Sequence, residues 1–195
     1  ETGQAISWKK VGSLRLAGSA ARWSEIRRSM GQAKSFGVEC HSLSAEEAAK
    51  HFPYITSDGI EGAAFIPGDG YIDPYSLTMA YAKGARINGA KIEEGVCVEE
   101  IALEGRRAVG VVTNGGSISC DILVNCAGLW AKRVGNMAGV PLAAGIVEHQ
   151  YFLTEKKLSF DAGLTTLRDP DNNFYLKPDT GSFAIGGWED GSKGF

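Results

Sequence analysis

The chain has 195 residues, 44% of them apolar and 22% charged, with a formal charge of -3. That length can bury a sizeable core as one domain or two small ones, and the composition is that of a soluble globular protein. The slight acidity, with no basic face interleaved by aromatics, excludes a nucleic-acid partner, and no apolar run reaches the roughly 18 residues that span a bilayer.

The opening "ETGQAISWKK" lacks the apolar centre of a signal peptide. "GSLRL" (12–16) predicts a short strand. Ser19 is placed to cap a helix in which Trp23, Ile26, Met30, Ala33 and Phe36 recur at helical spacing, and Gly37 closes it. "SAEEAAKHFP" predicts a second helix, with Ser44 and Glu47 as a capping box and Pro53 as its stop. "GAAFIP" (62–67) predicts a strand before the turn-rich "GDGYID". Asp73 then caps a helix that has Pro74 at its first position and ends at Gly89. Leu77, Ala80, Tyr81, Gly84 and Ala85 form its expected packing face, and the small residues predict close packing on a sheet.

A strand is expected around Lys91–Glu94. "VCVEEIAL" and "RAVGVVT", joined by "EGR", and "SISC" after "NGG" predict a three-stranded antiparallel meander over 96–120. "DILVNCAG" is a nearly continuous apolar run ending in Gly128, the pattern of a strand buried on both faces of a parallel sheet. "LWAKRVGNMAG" predicts a helix ending at Gly139, and the remainder, from "IVEHQYFLT" through "NFYLKPD" to "SFAIGGWED", is β-rich. No repeat, low-complexity tract or flexible linker interrupts this order.

Several features carry chemistry or only resemble it. Cys40, Cys97, Cys120 and Cys126 form no CxxC pair, so they read as reduced thiols of an intracellular protein. "AFIPGDGYID" offers G-x-G between a strand and a helix, like a dinucleotide-binding turn. Its sixth position is Asp73, however, and a carboxylate there repels a pyrophosphate from the helix N-terminus. No P-loop or G-x-S-x-G elbow is present, and the three histidines lack metal-ligand spacing, so no metal is expected. In "VEHQYFLT" (147–154), alternation places Val147, His149, Tyr151 and Leu153 on one face. A histidine there is either a satisfied rim or core residue or one that faces a reactive ligand, and the local residues leave both readings open.

The ordered set "ETGQ", "GSLRLA", "PGDGYIDPYSLTMAYAKGAR", "VVTNGGSI", "VNCAGLWAKRVGNMAGV", "EHQYFLTE", "LRDPDNNFYL" and "IGGWE" covers nearly the whole chain. On these stretches it resembles the FAD-dependent amine dehydrogenases of the D-amino-acid-oxidase superfamily, in particular the dimethylglycine and sarcosine dehydrogenase group. The resemblance implies an α/β (mixed α+β) chain: part of a two-domain FAD-dependent oxidoreductase fold, with an antiparallel meander and a β-rich substrate domain. It divides the chain into 1–90, part of the substrate domain plus a helix packing on the FAD sheet; 91–140, the FAD-domain segment with the meander and returning strand; and 141–195, the substrate-domain sheet. FAD is the implied cofactor. The family's G-x-G-x-x-G unit and its flavin-linking histidine do not occur in these 195 residues. The chain is thus expected to be a fragment lacking the remainder of its own FAD domain, and inactive in isolation.

Residue by residue, the resemblance assigns Val98 to the adenine end of FAD and Trp130 beside the cofactor, with Ala127 and Gly128 allowing the backbone to come close. Alone, Val98 would read as a strand-core valine and Trp130 as a core aromatic. His149 and Tyr175 match the histidine and tyrosine that face the flavin, so the implied activity is hydride transfer from N-methylated glycine, with these two handling the amine proton. Arg168 is the candidate cation for a substrate carboxylate, against a solvated or ion-paired arginine. Gly186 and Gly187 are candidates for close approach of substrate to a strand, against a simple bulge. A non-catalytic regulatory protein of the same fold is the rival reading. The expected partner is a small N-methyl amino acid, without nucleic acid or membrane, and a downstream folate-binding domain is a further expectation. The expected location is cytoplasmic in a bacterium and the mitochondrial matrix in a eukaryote.

Overall fold

Leu14 and Leu16 alternate with more accessible neighbours along β1 (Ser13–Ala17), so the strand presents one apolar face. β1 is an interior strand of the larger sheet of the computed structural model, which describes residues 2–156, 163–179 and 181–194. Helix α1 (Ala20–Ser35) starts where the Ser19 hydroxyl accepts from the Arg22 N–H at 3.2 Å. It stops where Gly37 takes φ +77° and its N–H reaches the Lys34 carbonyl at 3.0 Å. β2 (His41–Leu43) leads into α2 (Ala45–His51), whose capping box closes in both directions between Ser44 and Glu47. After β3 (Gly62–Ile66), Asp73 accepts from the Ser76 N–H at 2.9 Å and starts α3 (Pro74–Ile87).

Beyond α3 come β4 (Val98–Glu104), β5 (Arg107–Thr113) and β6 (Gly116–Ser119), then a single 3-10 turn (Gly128–Trp130) leading into α4 (Ala131–Met137). The last strands are β7 (Tyr151–Leu153), β8 (Thr166–Asp169), β9 (Phe174–Asp179) and β10 (Ser182–Gly187). Among the described residues, seven strands form one mixed sheet in the order β2-β3-β1-β8-β9-β10-β7, and β4-β5-β6 form a separate antiparallel meander. In the larger sheet β1 and β8 run parallel, while the other pairs are antiparallel.

The chain divides into two units, each with its own packing: Glu1–Gly84 with His149–Ser192, and Ala85–Glu148 with Lys193–Phe195. In the first, α2 covers one face of the sheet. Ala48 and Phe52 pack with Leu14, Leu16, Leu167 and Phe183, and Phe174, Leu176 and Ile185 lie against them. α1 covers the other face, where Ile26 and Met30 meet Ala17 and Ala64. Each such large side chain, fully buried, contributes about 1.5–3 kcal/mol. In the second unit Ile101 and Val111 are buried in the meander.

Four expectations need correction. Residues 91–94 form no strand; "KIEE" has a single apolar residue and all four positions are exposed. "DILVNC" lies in neither strand nor helix, and Ile122 and Val124 are 80% and 72% exposed. A buried parallel strand needs partners on both edges for its backbone N–H and C=O groups, and no described strand runs beside it. α3 buries none of its residues, and Tyr81, placed on its packing face, is largely exposed. Phe36 is 76% exposed because it is the C-cap residue of α1, where the chain turns off the helical stripe.

Candidate active site

One face of the larger sheet carries two rows of side chains. Register pairs Arg15 with Arg168, Arg168 with Tyr175, and Tyr175 with Gly186. Two residues along the strands, the neighbouring row contains Ser13 and Thr166, then Lys177 and Ala184. Period-two alternation turns Phe174 and Leu176 to the opposite face, against the core. A cavity of about 720 Å³ opens on the two rows and is lined by Arg15, Tyr71, His149, Arg168, Tyr175 and Trp188, together with Lys177, Asp69 and Gly187.

The β8–β9 hairpin sets the row that holds Arg168 and Tyr175. Asp169, buried at its corner, accepts from the N–H groups of Asp171 and Asn172, each at 3.1 Å, and from the Asn172 side-chain amide at 2.8 Å. Asn173 closes the turn in the left-handed region at φ +55°. Its carbonyl accepts from the Trp188 N–H at 3.1 Å, which brings the indole back over the hairpin. Trp188 then lies 5.5 Å from the Tyr175 ring and 5.6 Å from the Arg168 guanidinium.

The two glycines at the end of β10 are explained by these neighbours. A Cβ added at Gly186 would run into the Tyr175 ring, and one at Gly187 would press on the Asn173 carbonyl. What approaches both glycines is the protein's own chain. Gly187 lines the cavity, whereas Gly186 is the floor beneath Tyr175.

His149 precedes β7 rather than lying within it, and its side chain is 43% exposed. Its Nδ1 is 3.2 Å from Glu189 Oε2, and the Gln150 N–H donates to Glu189 Oε1 at 3.2 Å. Glu189 also accepts from its own backbone N–H. That bond, followed by those from His149 and Gln150, holds its carboxyl below the ordinary range. With Nδ1 donating to Glu189, the lone pair of the neutral ring resides on Nε2. The sheet therefore brings together His149, Arg168, Tyr175 and Gly187 around one cavity. Val98, Ala127, Gly128 and Trp130 belong to the second unit. Val98 opens β4 opposite Thr113, Gly128 takes φ +54°, and Trp130 is 62% exposed.

Sequence reasoning missed Lys177, Trp188 and Glu189. Lys177 was within reach, since it lies two residues beyond Tyr175 and alternation puts it on the same face. Trp188 follows directly on the glycine pair. Glu189 sits 40 positions from His149, and no local pattern pairs them.

Residues 1–194 match the family model described as FAD dependent oxidoreductase. Mitochondrial sarcosine dehydrogenase of Homo sapiens is 34% identical over 194 residues, which are 97% of this chain and 21% of that protein. Mitochondrial dimethylglycine dehydrogenase of Rattus norvegicus is 33% identical over 196 residues, 99% of this chain and 23% of that protein. The chain thus spans about a fifth of the length of these relatives. Among solved structures, L-proline dehydrogenase from P. horikoshii superposes with a TM-score of 0.85 at 28% identity, covering 96% of this chain and 51% of that one. A match running through both units and a shared mixed-sheet architecture lead to one conclusion: the chain belongs to the DAO family of FAD dependent oxidoreductases.

Proposed function

We propose that the protein carrying this chain oxidises an N-methylated amino acid of the dimethylglycine or sarcosine type. The observation that carries this reading is the gathering of His149, Arg168 and Tyr175 around one cavity of the sheet. The similarity to sarcosine and dimethylglycine dehydrogenases supports it. FAD, when bound, supplies the acceptor for the hydride that leaves the N-methyl carbon as that carbon becomes an iminium. Val98, Ala127, Gly128 and Trp130 would hold it, and they fit that role in part. The exposed indole of Trp130 and the open backbone at Gly128 are free for contact, but these residues provide no cradle for a pyrophosphate.

The remaining work falls to the side chains of the cavity. Arg168 receives the substrate carboxylate, and its guanidinium, braced on Trp188, presents paired donors. The Tyr175 hydroxyl positions the amine nitrogen. His149 accepts the ammonium proton at Nε2, while Glu189 steadies the ring through Nδ1. Loss of that proton frees the nitrogen lone pair that drives hydride departure.

The test is anaerobic reduction of the FAD-loaded protein by dimethylglycine and by sarcosine, followed as bleaching of the flavin. Bleaching by either amine is expected. His149→Ala or Tyr175→Phe should slow it by about 10²-fold with FAD content unchanged. Flavin that stays oxidised with both amines would overturn the dimethylglycine or sarcosine reading.

A further inference from the structure

The cavity holds two cations with no carboxylate at ion-pair distance among the described residues. Arg15 is matched by Glu25 at 3.2 Å. Arg168 and Lys177 make no ion pair among the described residues; each lies over an aromatic ring instead, Arg168 at 5.6 Å from Trp188 and Lys177 at 5.7 Å from Tyr71. A cation over a ring face is held in place with its charge intact. Asp179, two positions beyond Lys177 on the same face of β9, acts by its charge on the Tyr71 hydroxyl and makes no ion pair with Lys177 among the described residues. The other nearby acids are engaged elsewhere. Asp69, in the cavity wall, accepts from the Gly70 N–H at 2.8 Å, and Glu189 holds His149 and Gln150. Asp73 feels the charge of Lys177, but its carboxylate accepts from the Ser76 N–H and hydroxyl at the start of α3.

The two cations are also held apart. Arg168 and Lys177 are diagonal neighbours on adjacent strands, a relation that separates residues by roughly 7–8 Å with the Cβ atoms somewhat closer. Their aromatic anchors lie at opposite ends of the two rows. Trp188 follows Gly187 and is tied to Asn173, beyond the Arg168 row. Tyr71 pairs with Lys9, which precedes the Ser13 row. The side chains are therefore drawn toward opposite ends of the two rows.

We propose that the cavity takes an amine substrate with two acidic groups, the α-carboxylate on Arg168 and a side-chain carboxylate on Lys177, of the N-methylaspartate or N-methylglutamate class. This rests on the reading of the cavity as the amine substrate site. A monoacid such as sarcosine fills the Arg168 position and leaves Lys177 without a partner.

The test is calorimetric binding of two unreactive probes, glutarate and valerate, to the FAD-loaded protein. They match in carbon count and differ by one carboxylate. Glutarate is expected to bind at least ten-fold tighter, and the ratio should fall toward one in both Lys177→Met and Lys177→Gln. Equal affinity of the two probes for the unaltered protein would overturn the proposal. So would a ratio that survives both substitutions. Since neither probe is oxidised, this result stands apart from flavin reduction: an enzyme that no N-methyl amine reduces defeats the amine reading, while the ratio still reports on the two cations.

Discussion

Gly186 and Tyr175 occupy facing positions of β10 and β9, and the ring lies where a side chain at 186 would project. Gly186→Ala forces either the ring or the strand to move, which in a packed setting costs about 1–3 kcal/mol. A lowered Tm is expected for Gly186→Ala, and most of the loss should vanish in a Tyr175→Ala background, where the obstacle is gone. Additive losses in the double variant would count against the ring as the obstacle. Glu189 makes a second prediction at this scale. Its carboxyl is held below the ordinary value of 4.5 by hydrogen bonds from its own N–H, His149 and Gln150. The stabilisation is thus complete above that ordinary value and is lost as pH falls through the lower folded value. Thermal melts of the native protein and Glu189→Gln should differ by a constant amount above pH 4.5 and converge only as pH falls through the lower folded value. A gap that persists in acid would point to packing rather than charge.

The helices of the first unit begin as their caps direct. Ser19 accepts from Arg22, and Ser44 and Glu47 satisfy each other's backbone N–H groups at the start of α2. α2 has seven residues, too few to persist without this cap and without Ala48 and Phe52 in the core. Ser44→Ala is expected to lower stability by about 1 kcal/mol in denaturant titration, with an unchanged denaturant slope. An unaltered midpoint would mean that Phe52 alone holds the helix. These caps, the meander turns and the alternation in β1 and β9 are legible in sequence because each depends on residues within a few positions. The fate of "DILVNC" is not, because an apolar run specifies burial without specifying what lies beside it.

For the whole molecule, the missing pyrophosphate cradle sets the expectation. These residues contain no G-x-G-x-x-G turn, and the one G-x-G before a helix ends in the capping carboxylate of Asp73. The 195-residue chain by itself should therefore purify colourless and gain little flavin on incubation with FAD, as read by absorbance after gel filtration. A yellow protein with stoichiometric FAD would show that Val98, Ala127, Gly128 and Trp130 hold the cofactor unaided.

The sequence by itself determined the family, the antiparallel meander, the capped helices and the face of β9 on which Tyr175 sits. Each follows from short-range chemistry or from motifs with a set order. Only the tertiary structure decided that His149 stands outside its strand with Glu189 at its ring, and that Trp188 braces Arg168. It also decided that the Tyr175 ring lies where a side chain at Gly186 would project. Each of these depends on strands remote in sequence meeting in one register, and register is settled by the packing of the whole sheet.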